Sequence, residues 1–185
     1  MIQDVIKQAE ERMKSGVQSA KEDFAAVRTG RANTSLLDRV TVDYYGTAVP
    51  LNQLATISAP EARLLVIQPW DKTQVRAIEK AILESDLGLT PISDGSVIRI
   101  AIPQLTAERR KELVRLVRKV AEEKRVIIRN ARRDANERVK ELEKEKLASE
   151  DDSRRAQERI QELTDRYIKE IDALLEAKEK EILEV

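Results

Sequence analysis

The stretch from Thr106 to Lys144 sets the strongest limit on what this chain can fold into. Pro103 bars helix upstream, and Thr106 is placed to cap a helix that starts beside it. Leu113, Val117, Val120, Ile127, Ala131, Ala135 and Leu142 then mark one apolar line over nearly forty residues. At the helical rise this predicts a rod of about 55–60 Å. A rod with a single apolar stripe cannot bury itself and needs partners of similar length. Two other segments supply them. Ile2, Ile6, Ala9, Met13, Val17, Ala20, Phe24 and Val27 recur at helical spacing until Gly30 breaks the run. Ala156, Ile160, Leu163, Tyr167, Ile171, Leu174 and Ile182 do the same after Ser149. Ser149 reads as a cap, with Glu150, Asp151 and Asp152 in the first turn where the helix dipole favours acids. Capping explains these three acids better than a metal site does. Three such helices predict a bundle near coiled-coil geometry.

The residues between Gly30 and Pro103 obey a different rule. "DRVTVDYYG" alternates Val40, Val42 and Tyr44 with polar neighbours and ends in a glycine turn, the mark of a strand. "PLNQLATISAP" and "ARLLVIQPW" give two more extended runs, and "SVIRIAIP" sets Ile98, Ile100 and Ile102 against Val97, Arg99 and Ala101. Between them "DKTQVRAIEKAILESDLG" is an amphipathic helix expected to turn Val75, Ile78, Ile82 and Leu83 inward. The expected class is therefore α+β: an elongated three-helix bundle from residues 1–30 and 105–185, with a β/α/β domain inserted at 31–104. Two short crossings rich in breakers connect the parts, so the linkers are expected to act as a hinge.

Composition removes several functions. The chain has no histidine and no cysteine, so the commonest general base, the commonest metal ligand and all thiolate chemistry are missing. It carries no phosphate-binding loop, no GxGxxG, no HExxH and no CxxC. No enzyme activity, metal or cofactor is expected. No apolar run approaches the roughly 20 residues that span a bilayer, and the N-terminus lacks a signal-peptide core. The expectation is a soluble, cytoplasmic, monomeric chain with no membrane partner.

Charge is where the sequence points outward. The whole chain balances 34 bases against 34 acids, yet residues 109–133 hold eleven bases and three acids, and residues 134–185 hold eleven bases and seventeen acids. On a wheel at about 100° per residue, Lys111, Arg115, Arg118, Arg125, Arg132, Arg133 and Lys140 fall within about 60° of Arg129, opposite the apolar stripe. Of the helix's acids, Glu112, Glu123, Asp134, Glu137 and Glu141 lie on a flank, and Glu122 sits inside the basic stripe. Pairing within the helix should therefore satisfy these arginines poorly. Arginine forks suit phosphate oxygens, and the tract lacks the aromatics needed for base stacking, so the backbone of folded RNA is the best-fitting partner. A coiled-coil adaptor that binds another protein through the acidic last helix stays open, as does a carboxylate-based hydrolase. Steep salt dependence separates the first reading from the adaptor.

Several blocks carry a more specific signal. "FAAVRTGRANTSLLDRVTVDYYGTAVPLNQLATI", "AIEKAILESDLGL", "VIIRNARRDANERVKELEK" and "SEDDSRR" resemble the bacterial ribosome recycling factors, and the resemblance covers the whole chain. It implies an L-shaped, tRNA-like outline with a hinge formed by Thr29, Gly30, Arg31, Ala32 on one crossing and Ile102, Pro103, Gln104, Leu105 on the other. It implies binding to the post-termination ribosome and, with elongation factor G and GTP, splitting of the subunits and release of mRNA. The GTPase would be the partner, and this chain would hold no nucleotide. The long basic helix would lie against ribosomal RNA of the large subunit through Arg129, Arg132 and Arg133, with Arg110 near its start. Arg118 and Arg125 share that face, and Arg28 and Arg31, on either side of Gly30, would help in RNA contact.

Overall fold

The computed structural model describes residues 1–184 and divides into two compact units, residues 1–28 with 107–184, and residues 29–106. The first is a bundle of α1 (Ile2–Ala25), α3 (Ala107–Lys144) and α4 (Glu150–Glu184), with every pair of helices in contact. At 38 residues, α3 is about 57 Å long. Its core side chains are Leu113, Val117, Ala121, Ile128, Ala131, Ala135, Val139 and Leu142. They meet Ala9, Met13, Val17, Ala20 and Phe24 of α1 and Ala156, Ile160, Leu163, Tyr167 and Ile171 of α4. Ser149 caps α4 through its Oγ, which accepts the Asp152 N–H at 3.0 Å.

The core stripe of α3 differs from the expected one by a single residue in its middle. Ala121 and Ile128 are buried, Val120 is half-buried, and Ile127 is 37% exposed. The cause is Lys124, which occupies the stripe position between Ala121 and Ile128. A reading that tracks apolar residues alone steps over it and lands on Val120 and Ile127. Ile127 lies along α1 instead: a Cβ at Gly16 would come within 3.3 Å of its Cγ2. Gly16 thus lets the two helices approach closely. On α4, Leu174 is only half-buried, and Lys178 holds the buried position one turn on.

The second unit holds two antiparallel sheets, one α-helix and three short 3-10 turns. β1 (Thr41–Tyr44) and β2 (Thr47–Pro50) form a hairpin. β3 (Ala55–Glu61), β4 (Leu64–Pro69), β5 (Pro91–Ser93) and β6 (Ile98–Ala101) form a sheet in the order β3-β4-β6-β5. Helix α2 (Val75–Glu84) covers the sheet with Val75, Ile78 and Ile82, which pack with Val42, Leu65, Ile67, Ile98 and Ile100. Leu83, expected inward, is 60% exposed, because one step from Ile82 turns it about 100° off the buried face.

Where the chain enters and leaves this unit it is tied to the β3–β4 turn. The Ala32 N–H donates to the Ala62 carbonyl at 2.6 Å, and the Ile102 N–H donates to the Arg63 carbonyl at 2.8 Å. Gly30 has a φ of +76°, and a Cβ there would stand 2.9 Å from Leu105 Cγ. Glycine satisfies both demands at once. The architecture is α+β, a helical bundle and a mixed unit on one chain.

Candidate nucleic-acid interface

The basic stripe of α3 is a consequence of its core. Once Leu113, Val117, Ala121, Ile128 and Ala131 face the bundle, residues half a turn away must face outward. The structure sorts the arginines of that stripe into two groups, and α4 is what divides them.

Arg118 and Arg125 belong to the seam between α3 and α4. The Arg118 Nε donates to Glu179 Oε1 at 2.6 Å. The Arg125 Nε donates to Asp172 Oδ1 at 2.8 Å, and its Nη1 donates to Glu122 Oε2 at 3.2 Å. Both helices supply these groups at an interval of seven residues, the spacing at which antiparallel neighbours repeat their contacts. The expectation that these arginines lack acidic partners is therefore corrected. Most acids on α3 lie off the stripe, but Glu122 within it pairs with Arg125 and Arg129, and α4 brings Asp172 and Glu179 alongside. The paired heptad interval, Arg118 and Arg125 against Asp172 and Glu179, was the available signal.

Electrostatics track the contacts. Hydrogen bonds from Arg129 and then Arg125 hold the Glu122 carboxyl below its usual value. The Glu179 hydrogen bond raises the Arg118 guanidinium further above its already high value. Burial opposes the charge on Arg125, but Asp172 and Glu122 overcome it and leave the group raised. Arg125 keeps only 21% of its side chain exposed, so its fork is committed to the bundle.

The remaining bases are less committed to the bundle, although Arg110 and Arg132 are half-buried. Arg132, Arg115, Lys111 and Lys140 form no ion pair among the described residues. The next seven-residue step would set Arg132 against Asp165, but Asp165 accepts a hydrogen bond from Gln161 Nε2 at 2.9 Å. Arg133 Nε stands 3.7 Å from Asp134 Oδ1, whose other oxygen takes Arg12 Nη1 at 2.9 Å. Arg129 pairs with Glu122 yet stays 41% exposed. Near the start of α3, Arg110 has a buried Nε with no hydrogen-bond partner. Arg28 and Arg31 are both exposed, Arg28 at the end of the bundle unit and Arg31 in the sheet unit.

Among the described residues no group of acids is placed to hold a metal ion, and no helix is long and apolar enough to cross a membrane. The fold and its charged face define a helical bundle with an inserted mixed unit that presents unpaired bases along one rod. Comparison with known proteins is specific. The ribosome recycling factor family profile matches residues 20–183. The ribosome-recycling factors of Carboxydothermus hydrogenoformans and Heliobacterium modesticaldum are each 62% identical over 100% of both chains. A solution structure of a ribosome recycling factor superposes with a TM-score of 0.76 at 53% identity, covering 100% of this chain and 98% of that one. A second match, with a TM-score of 0.63 and 49% identity over 99% of both chains, comes from models of the T. thermophilus factor and E. coli elongation factor G bound to the E. coli post-termination complex. The chain belongs to the ribosome recycling factor family. Its function is ribosome recycling, as a translation factor and not as an enzyme.

Proposed function

We propose that this protein binds the post-termination ribosome in the cytoplasm and, as a monomer with elongation factor G and GTP, splits the subunits and frees mRNA. The observation that carries the reading is the row of Arg132, Arg115, Lys111 and Lys140, without ion pairs among the described residues, on a helix whose Arg118 and Arg125 are already engaged by α4. A near relative at 49% identity occupies the same complex, which supports the same partners here.

Within that reading the residues divide their work. Arg132 leads the contact with large-subunit RNA, joined by Arg129, Arg133 and Arg110, and phosphate oxygens supply the matching charge. Arg118 and Arg125 act chiefly by holding α4 beneath the rod. Arg28 and Arg31 add charge near the crossings. Elongation factor G delivers force, and the rod transmits it because α3 has no proline or glycine at which to kink. Turning between the units is confined to Thr29, Gly30 and Arg31 and to Pro103, Gln104 and Leu105. Ala32 and Ile102, also in the hinge expected from the sequence, each donate an N–H to the β3–β4 turn, which supports a smaller swing at those two positions.

The test uses purified large subunits pelleted with the protein across a salt series, then polysome breakdown with elongation factor G and GTP. Affinity should fall steeply with salt. A flat salt response would favour the adaptor reading, and intact polysomes would sink recycling by this chain.

A further inference from the structure

The β1–β2 hairpin closes through Tyr45 and Gly46, with φ angles of +50° and +84°. Two successive positive φ values make a type I′ turn, where Asn and Gly are favoured and a bulky side chain is strained. Tyr45 holds the first of these positions while 78% exposed, so burial does not explain it. Its ring meets Tyr44 edge to face, with centroids 4.6 Å apart and planes at 76°. Asp43 Oδ1 accepts the Gly46 N–H at 2.9 Å, which fixes a carboxylate at the base of the tip. Strain at an exposed residue with no burial to offset it marks the tip as a candidate contact.

We propose that the Tyr44–Tyr45 tip is a docking knob for an arginine or lysine side chain on a protein partner in the recycling complex. The proposal rests on the recycling reading above. The chemistry of the tip selects the partner. Residues 41–50 carry one acid and no base. Arg39 lies before β1, at the end of the hairpin away from the turn, and Lys80 on α2 sits 3.9 Å from Glu84. An aromatic face is electron-rich, and a nearby carboxylate adds to its attraction for a cation. Arg39 and Lys80 line the hollow that Asp43 and Gly46 share, but residues 41–50 of the hairpin hold no base, so at the tip itself a phosphate backbone would meet only the Asp43 carboxylate. The knob is thus opposite in charge to the α3 face, and the chain grips RNA and protein with different units.

Two variants and one cross-link test this. Tyr45→Asn places a favoured residue in the turn and should raise the unfolding midpoint of the sheet unit, followed by Trp70 fluorescence. The same variant should raise the concentration needed for half-maximal splitting by roughly 2- to 30-fold, the range of one cation–π contact. Tyr45→Phe keeps the ring face and should split like the wild type. With p-benzoylphenylalanine replacing Tyr45, irradiated post-termination complexes containing elongation factor G should yield a cross-link to a protein, beside a lysine or arginine. Normal splitting by Tyr45→Asn, a lowered midpoint for it, failure of Tyr45→Phe, or cross-links to RNA alone would each overturn the proposal. Failure of the wild type itself to split would instead count against recycling.

Discussion

Arg125 reaches from α3 to Asp172 of α4 and grips a single carboxylate oxygen twice, with Nε at 2.8 Å and Nη2 at 2.7 Å. The contact lies in the outward stripe but behaves as a helix-to-helix clamp. Arg125→Ala should therefore lower bundle stability by about 1 kcal/mol, once solvent screening of Asp172 is allowed for. Urea unfolding followed by far-UV circular dichroism measures it, and a double-mutant cycle with Asp172→Ala isolates the pair. Additive single effects would show that the clamp holds nothing.

Arg132 should behave in the opposite way. It has no acid to leave stranded, so Arg132→Ala should change unfolding little while weakening large-subunit binding by about 1–3 kcal/mol. Removing one phosphate contact should also make the salt dependence shallower by close to one unit of log–log slope. Arg118→Ala, which frees Glu179, should cost stability more than affinity. Equal losses of affinity in Arg118→Ala and Arg132→Ala would dissolve the distinction between clamp and contact.

How much of this the sequence carried depends on which partner each residue answers to. The three helices and the inserted unit were readable because periodicity and breakers are local, although α1 stops at Ala25, short of the expected Val27 and Gly30. The middle of the α3 stripe was not, since Lys124 fills a core position and disguises it. The hairpin was half-readable. "DYYG" gave the strand and the glycine turn, but Tyr45 at positive φ contradicts turn preference and hid the tight type I′ closure. Strand β5, three residues with a proline, is too short to show a period. For the interface, the wheel set eight bases, from Lys111 to Lys140, against the apolar stripe of their own helix, and it took no account of Lys124. It could not reveal Glu179 and Asp172, because those belong to another element brought alongside by folding.

Gly30→Ala tests the crossing into the sheet unit. The new methyl would meet Leu105 Cγ at 2.9 Å and hold φ at +76°, a region that alanine disfavours. A loss of about 1–2 kcal/mol is expected, from backbone strain and the clash together. Because Trp70 is the sole tryptophan and lies in the sheet unit, its fluorescence reads that loss apart from the bundle. Leu105→Ala in the same chain should recover part of it. No recovery would leave the positive φ as the whole cause.

The pair of Tyr167 and Glu10 predicts a pH profile with two limbs. Tyr167 Oη donates to Glu10 Oε1 at 2.9 Å between α4 and α1. That hydrogen bond, the largest influence on Glu10, holds its carboxyl below the ordinary 4.5. A lowered carboxyl stabilises the fold above its unfolded value and loses that contribution as pH falls below about 4.5. Tyr167 is raised above 10.0, first by burial and then by Glu10. A raised phenol contributes fully below about 10 and loses its contribution as pH climbs beyond that value. Tyr167→Phe should flatten the alkaline limb and reduce the acid one, where other carboxylates also act. An unchanged alkaline limb in Tyr167→Phe would assign it to other groups.

Lys124 gives the sharpest test of what a polar group inside the bundle does. Its ammonium, 13% exposed, donates to Ser19 Oγ at 2.8 Å and lies 2.9 Å from Asp23 Oδ2, so it links α3 to α1. Two replacements should part company. Asp23→Ala leaves the ammonium half-buried with Ser19 as its one remaining partner, and should cost about 1–3 kcal/mol. Lys124→Met removes the charge together with its desolvation and fills the same core line, while Asp23, 48% exposed, returns to water. That variant should fall within about 1 kcal/mol of the wild type or exceed it. Should Lys124→Met prove the more damaging of the two, the ion pair stabilises the bundle outright, and Lys124 is then a strut of the core and not a tolerated interruption in it.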